Sequence, residues 1–563
     1  MCETCNRRLI VKYTYIRPVV TIHGRKTIRV KVMGCKIHKN ERISIPDEKD
    51  TSLIPKCYAD LKLTILIGLL RWRLGMKRFE IKSFLQMKGV SISEGAISYR
   101  SLDFLLLFKE LHKSMNEKIK TYFDRRGGII LHIDGTHKSG GKVVFVLQED
   151  FNNIVIDADL IPTEATEHIN PLLSEFKEAY GSPLVVVRDM GKGLAQSATT
   201  IFPGSPQQIC QIHFIRDLEK DMVTKYHKNV KSAIVKHKLT PKLKALRSNK
   251  RQFDGIIDLE ERWVHIAVDY LLHPVEKHLK WISLPIAYFV QYHRVKEIYS
   301  YVKRLIRLNT SKNLFCTPLM DLEKCLKPVI DDPKASRFYN VLEKKLEWLD
   351  KLREQLRITR KNHLKDKPQD ETDIETVKKD VRGILNSIHN EGKDLGGKYP
   401  KIASDINAAF DNHWDELFVP NPIVNGKKIH FKRHNNGLES NHRGTRKSIR
   451  ERTGRSETNC EMEQFGDLLA IASNLWNKTY QETILDDVDN LCTALFPFVN
   501  NIPKLRKKYH DVRKGPEIPI HDSKRLNILE NFLNVLESTE VQDTLISELQ
   551  SILCVTNEAE TTC

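Results

Sequence analysis

The sequence predicts an α/β core built on a mixed five-stranded sheet, interrupted by a large all-α insertion and preceded by a small β module and a helical module. Three observations predict it. Between 128 and 213 five short apolar runs of strand type are separated by two helical patterns. From 222 to 427 the composition shifts to Lys, Leu and Glu in helical spacing. Before 45, two alternating segments are bracketed by paired Cys and His residues.

Taken in order, the first 45 residues carry Cys2-x-x-Cys5 and Cys35-x-x-His38, with strand-type segments from Leu9 to Tyr15 and Thr27 to Met33 and Gly24 in the bend. Two knuckles of soft ligands joined by a hairpin are the layout of a zinc ribbon, in which tetrahedral Zn²⁺ closes a core too small to fold alone. Eleven Lys/Arg against Glu3 and Glu41 in residues 1 to 42 give this arm a net charge of +9. Residues 55–118 read as helices: Leu61, Ile65, Leu69 and Leu70 mark one, Phe79 to Met87 a second, Ser93 to Leu107 a third. Gly89 supplies a left-handed turn and Ser93 a cap, so the last two form a helix-turn-helix with Ser93 to Arg100 as recognition segment. Arg71, Arg73, Lys77, Arg78, Lys82 and Arg100 are candidate phosphate contacts.

The core begins near 125. Gly128–Asp134 is a buried strand ending in aspartate, Lys142–Gln148 and Asn153–Leu160 two more in a meander, Glu164–Tyr180 a helix, and Leu184–Asp189 a fourth strand again ending in aspartate. Gly193–Ile201 is a short helix and Gln208–His213 a fifth strand. This βββαβαβ order is that of the ribonuclease H-like fold, in which the first and fourth strands are neighbours, so Asp134 and Asp189 meet across 55 residues. Paired carboxylates suit hard Mg²⁺ or Mn²⁺ ions, which in pairs stabilise the attacking and leaving oxygens of an in-line displacement at phosphorus. The third carboxylate is Glu439, after the insertion, in Asn435-Asn436-Gly437-Leu438-Glu439. Asn436 lies one helical turn before it, and Arg443, Arg446, Lys447 and Arg450 follow on the same face as DNA contacts. Asp157 and Asp159 read as exposed.

Composition agrees. The chain has 563 residues, 40% of them hydrophobic, enough for three or four domains. A formal charge of +19 and pI of about 9.2 favour a polyanion, nucleic acid foremost. The most apolar stretch, Leu61 to Leu70, contains Lys62 and is too short to span a bilayer, which excludes a membrane protein. The N-terminus has no apolar signal core, and eleven scattered cysteines form no disulfide framework. A reducing compartment follows: cytoplasmic and nucleoid-associated, or nuclear in a eukaryote.

The aspartates of Ile133-Asp134-Gly135-Thr136 and Val187-Arg188-Asp189-Met190, the Cys210-x-x-His213 pair, the long helical insertion and Asn436-x-x-Glu439 together resemble a DDE transposase with a ribonuclease H-like catalytic domain. The branch is the Mutator-like and hAT-like one with the C-x-x-H motif, including prokaryotic insertion-sequence types. The resemblance spans roughly 125–480, as 125–221 and 428–480 around the insertion 222–427. It implies that Asp134, Asp189 and Glu439 hold two Mg²⁺ ions for strand cleavage and then strand transfer, with His213 near the scissile phosphate and Cys210 a structural part of its motif. The partner would be double-stranded DNA, terminal inverted repeats and target, with a homo-oligomer at synapsis. A catalytically silent DNA-binding descendant and a two-metal nuclease without strand transfer are the alternatives. Lys231, Lys236, Lys238, Lys242 and Lys244 of the insertion are placed to track DNA, Trp263, Trp281 and Trp348 in the core, and Leu342–Ile358 in a heptad-like helix ahead of a polar break at Lys365 to Thr372. Residues 481–563 form an appended helical region with an acidic end, where Leu526, Leu529, Leu533 and Leu536 line one face.

Overall fold

A computed structural model describes residues 2, 4–38, 42–46, 53–55, 57–136, 141–248, 259–273, 286–311, 317–358, 373–485 and 491–513. Trp281, the polar break at Lys365 to Thr372 and the leucines from Leu526 to Leu536 lie outside these. The chain divides into two units, Met1–Ile502 and Pro503–Cys563, and the described part of the second is helical as far as Arg513. Among the described residues no helix is long and apolar enough to cross a membrane.

The first strands pair as a long antiparallel hairpin, β1 (Ile10–Thr21) with β2 (Gly24–Gly34), and β3 (Arg42–Pro46) adds to the other edge of β2. The sequence alone did not indicate β3. Gly24 turns the hairpin at φ +100°, a conformation a side chain resists. Pro18 is tolerated because β1 is an edge strand. Val19, Ile28 and Val30 are buried beneath the sheet.

Helix α1 (Leu61–Gly68) is capped by the Asp60 carboxylate, which accepts from the Leu63 amide at 2.8 Å, and runs into a wider turn over Leu69–Arg73. Helix α2 (Arg78–Met87) starts where Glu80 accepts from the Lys77 amide, and α3 (Glu94–Ser114) where Ser93 accepts from the Ala96 amide at 3.2 Å, with Gly89 left-handed between them. The expected helices are present, but α3 is buried on every side from Arg100 to Phe108. That corrects the placement of Arg100 as a DNA contact: it is 7% exposed and paired with buried Asp103 at 3.1 Å. A side chain in the middle of a helix enclosed all round cannot reach a groove. Helix α4 (Asn116–Asp124) then leads into the core.

The core sheet has strand order β6-β5-β4-β7-β8. Strands β4 (Ile130–Thr136), β5 (Val143–Glu149) and β6 (Val155–Ile161) form the antiparallel meander, and β7 (Val185–Arg188) and β8 (Gln207–Ile209) run parallel to β4. As expected, β4 and β7 are side by side, with Ile130 opposite Val185 and His132 opposite Val187. Near-continuous Val, Ile and Leu in β4, β5 and β7 reflect burial on both faces. Helices α5 (Thr166–Tyr180) and α6 (Lys192–Ile201) connect the later strands. The fifth strand is shorter than expected. It stops at Ile209, Cys210 caps the next helix, and His213 lies in the first turn of α7 (Gln211–Lys236).

From α7 the chain makes the helical insertion. Its own apolar core includes Leu218, Tyr292, Leu342 and Phe410, with Trp348 fully buried and Trp263 packed at the margin. The heptad-like stretch is the helix Pro333–Gln355, which crosses α7 and is tied to it by a buried Arg353–Glu219 pair at 2.8 Å. The chain returns to the sheet through Val419 and Phe431, packed on Ile130, Val185 and Val187. The helix Asn436–Thr453, hereafter the Glu439 helix, follows, and Asn459–Ala472 then covers β5, β6 and α3.

Candidate active site

The parallel β4–β7 pairing fixes the two aspartates at the carboxyl ends of adjacent central strands, where an open α/β sheet leaves a crevice. Asp134 is 7% exposed. Burial, followed by the charge of Asp189, pushes its carboxyl well above the usual range, with Glu164 and Glu439 adding and His213 opposing. Arg188, itself buried, holds the end of β7 by donating to the Asp189 carbonyl at 2.9 Å, to Gln207 and to Glu416.

Opposite them comes the Glu439 helix. The return segment is anchored first: Arg433 donates to Gln208 Oε1 at 2.8 Å, the Val419 carbonyl at 2.6 Å and Asn421 Oδ1 at 2.6 Å, and the Lys432 amide donates to Asp150 at 3.1 Å. Gly437 then lets the helix settle onto the sheet, since a Cβ there would lie 2.5 Å from Asn153 Oδ1 and 2.8 Å from Gln148 Nε2. Asn441 donates to Gln148 Oε1 at 2.5 Å, and Arg446 to Thr136 Oγ1 at 2.6 Å.

His213 and Glu439 face the aspartates from the two helices. His213 Nδ1 lies 2.5 Å from Asp189 Oδ1 and Nε2 3.2 Å from Glu439 Oε1. Burial works against its charge, but hydrogen bonding to Asp189, Cys210 and Glu439 prevails and raises its pKa to about 12. Arg216, one turn along α7, grips Glu439 with two donors at 2.6 and 3.2 Å. Against its burial, Glu439 is therefore held down to about 2 by His213 and Arg216. His442 Nε2 is 3.8 Å from Asp134 Oδ2, and burial, then Arg446, lowers that imidazole to about 4.

Several of these groups carry no signal in the sequence. Asn435 brings an amide to the site: it donates to the Ile133 carbonyl at 3.2 Å and Asp189 Oδ1 at 3.3 Å, accepts from His132 Nδ1 at 2.9 Å, and its backbone N–H points to Cys210 Sγ at 3.3 Å, while Asn436 is the first residue of the Glu439 helix and half-buried. His132 extends the chain to buried Asp150 at 2.9 Å. Glu164 is the other omission. Helix α5 starts two residues later than expected, and Glu164 folds against two glycines: a Cβ at Gly135 would fall 2.2 Å from its Oε1, and one at Gly193 1.9 Å from its backbone oxygen. Gly135 directly after Asp134, and Gly193 four residues beyond Asp189, were the available signal. Arg216 was legible only as one more cation.

The remaining expected residues sit as follows. Arg443 and Lys447 are exposed, at 3.8 Å from Glu439 and 3.7 Å from Glu451, and Arg450 is exposed. Lys231, Lys236, Lys238, Lys242 and Lys244 lie on the surface of the insertion. Asp159 and Asp157 are drawn to Lys109 and Lys113 of α3, and Asp157 is only 17% exposed.

Among the described residues, two groups bring three or more metal-ligating atoms within 4.8 Å of one another. One is Cys2, Cys5, Cys35 and His38, with Cys2 Sγ 3.4 Å from His38 Nδ1 and Cys5 Sγ 3.6 Å from Cys35 Sγ. Amides of His38 and Ile37 lower Cys35 to about 6, favouring the thiolate a metal needs. The other is Asp189, Cys210 and His213. The Asp134, Asp189 and Glu439 trio is not such a group among the described residues, and Arg216 holds Glu439 with two donors.

A family model, Transposase, Mutator family, matches residues 148–315. The matched segment contains Asp189, Cys210, His213 and Arg216 and the first part of the insertion. No curated protein matches the chain. The family match supports DNA transposition as the function.

Proposed function

We propose that this Mutator-type DNA transposase cuts and joins DNA strands at a DDE site in a ribonuclease H-like core, formed by Asp134, Asp189 and Glu439. The observation that carries the reading is geometric: the β4–β7 pairing sets Asp134 and Asp189 at neighbouring strand ends, and His213 bridges Asp189 to Glu439, so that three carboxylates converge on one crevice where burial and Asp189 oppose the ionisation of Asp134. This donor set fits Mg²⁺ or Mn²⁺, and Asp134, Asp189 and Glu439 would hold two ions. Bound there, they would supply an activated water or 3′-hydroxyl and charge neutralisation at the leaving oxygen.

The chain's own groups do the rest. In the first step water adds to the scissile phosphorus and the bond to the 3′-oxygen breaks; in the second that 3′-hydroxyl attacks a target phosphodiester and releases a target 3′-end. His213, between Asp189 and Glu439 with Arg216 3.1 Å from its Nε2, would lie beside the scissile phosphate and position both carboxylates. Asn435 orients Asp189 and, through His132, ties it to Asp150. Arg216 must share Glu439 with the incoming cation, and a DNA phosphate is the anion that can take its free donors. Arg443, Arg446, Lys447 and Arg450 line the strand leaving the site.

The N-terminal module is read as a Zn²⁺ ribbon, and with helices α2 and α3 as the part that grips the element's terminal repeats in a synaptic homo-oligomer. Cys35→Ser should reduce the zinc released on denaturation by about one ion per chain; an unchanged zinc content rejects that assignment.

The test of the catalytic reading is cleavage and strand transfer with Mg²⁺ on DNA bearing the gene's flanking repeats. Asp134→Asn and Glu439→Gln should bind this DNA and neither nick nor join it. If either variant cuts as well as the unmodified protein, the carboxylate assignment is wrong; nicking without joined products by the unmodified chain indicates a nuclease.

A further inference from the structure

A second cationic site lies outside the carboxylate cluster. The turn after α1, the start of α2 and the far end of the Glu439 helix enclose a cavity of about 330 Å³. Arg71, Lys77 and Arg78 line it from the N-terminal helices, and Arg452 and Arg455 from the Glu439 helix and the residues after it. The acids on its wall are Glu94, which is exposed, and Glu461, which is 3.5 Å from Arg455. Five cations thus face two carboxylates.

The arrangement is built rather than incidental. Trp72 is 2% exposed, donates its indole N–H to the Ser101 carbonyl at 2.8 Å and packs on Phe465. On this fixed ring sit both Arg452, 4.3 Å from the centroid, and Arg71, at 5.1 Å. The Arg71 Nε is buried with no hydrogen-bond partner, a costly state for a guanidinium. Burial and Arg78 lower Arg71 to about 10, and burial and Arg71 lower Arg452 to about 9. Arginines keep their charge at neutral pH, so these depressions reflect first their burial and then their mutual repulsion, which Glu461 offsets only in part at Arg452.

We infer that this cavity is a phosphate site, which takes one backbone phosphodiester of bound DNA between the Arg71–Arg78 segment and the end of the Glu439 helix. The planar fork of arginine matches phosphate oxygens in pairs, and an anion here would satisfy Arg71 and relieve the mutual repulsion together. That the phosphate belongs to DNA rests on the transposase reading; that the site takes phosphate does not. Arg452 is 13 residues beyond Glu439 on one helix, about 20 Å along its axis. The same helix would therefore contact the DNA at the cut and about six base pairs away, and seating the remote phosphate would fix the bearing of Glu439.

The test is DNA binding by the full chain without added Mg²⁺, so that cleavage plays no part, measured with a short duplex over a range of salt. Arg452→Gln and Arg78→Gln should each weaken binding about tenfold at moderate salt and lower the slope of log K against log salt by about one. Arg452→Lys should keep the slope. Arg78→Gln, at an exposed position, should melt no lower than the unmodified chain; Arg452→Gln also gives up its stacking on Trp72 and its bond to the Ser448 carbonyl, so its binding is read at a temperature where it is fully folded. The duplex should raise the melting temperature of the unmodified chain more than that of Arg452→Gln. Unchanged slopes in both glutamine variants overturn the inference. So does stabilisation by inorganic phosphate or pyrophosphate that duplex DNA neither matches nor displaces, which would assign the cavity to a free anion. A chain that loses these slopes yet never joins strands keeps the phosphate site and loses the transposase reading.

Discussion

Asp134 and Glu439 are both carboxylates in one crevice, yet their surroundings drive them in opposite directions. Asp134 gains stability by staying protonated: with its folded pKa raised, that stability is present below the ordinary aspartate value and is lost as pH rises through the folded one. Glu439, held at about 2 by His213 and Arg216, contributes stability above the ordinary glutamate value that is lost as pH falls toward 2. Asp134→Asn should therefore raise the melting temperature of the metal-free protein at pH 7 to 8, with the gain fading near pH 4, and should abolish stabilisation by Mg²⁺. A lower melting temperature for Asp134→Asn at pH 8 would show that its charge is already compensated. Asn435 offers a second test, since groups that orient metal ligands typically matter 10- to 100-fold in metal affinity. Asn435→Ala should weaken Mn²⁺ binding by about that factor while leaving the duplex salt slope unchanged. Equal Mn²⁺ affinity in the two proteins would reduce Asn435 to a packing role.

At the scale of elements, strand and helix identities were legible because burial leaves a periodic record. The apolar runs of β4, β5 and β7 marked the sheet centre, and the aspartates at two strand ends marked its crevice. Where local sequence was misleading, tertiary contact decided. Gln208 to His213 reads as a strand in the sequence, but β8 ends its pairing at Ile209, and Cys210 turns the chain into α7. That turn puts Cys210, His213 and Arg216 on one side of a helix, which is what lets His213 reach both Asp189 and Glu439. Arg100 misled for the opposite reason: its charge suggested a surface, and only the enclosure of α3 shows it turned inward against Asp103. Asn435 and Glu164 left no periodic trace, because each is placed by contacts across long sequence separations. Gly437 shows how tight those contacts are. Gly437→Val should cost about 1–3 kcal/mol through its collision with Gln148 and Asn153, and should reduce cleavage more than duplex binding because it lifts Glu439 away from the aspartates. Unaltered denaturation and cleavage would mean the helix has room to spare.

Within the first unit, a long helical insertion separates two parts of one site; its apolar core reaches Ile209 of β8 but shares no residue with the cluster of Ile130, Val185 and Val187. The two parts are rejoined by a short buried polar seam. Arg433 is its centre, 6% exposed, with donors spent on Gln208 of β8 and on Val419 and Asn421 of its own return segment. Its backbone carbonyl accepts from the Gln211 amide at 2.9 Å, which ties the seam to the start of α7. Replacing it with methionine keeps much of the volume but takes the Arg433 donors from the Val419 carbonyl and Asn421 Oδ1, at about 1–3 kcal/mol of desolvation for each acceptor left unsatisfied, while Gln208 Oε1 keeps the Val419 amide at 3.2 Å. The apolar cluster of the insertion and that of Ile130, Val185 and Val187 share no residue, so Arg433→Met should loosen the junction before either core. Hydrogen exchange should rise first in residues 418–436 and at the start of α7, with Val185 to Val187 and the helix Pro333–Gln355 still protected. Cleavage should fall with it, since Glu439 follows the seam by only six residues. Uniform acceleration of exchange across the chain would mean that sheet and insertion unfold as one body, and that the seam is simply part of a continuous core.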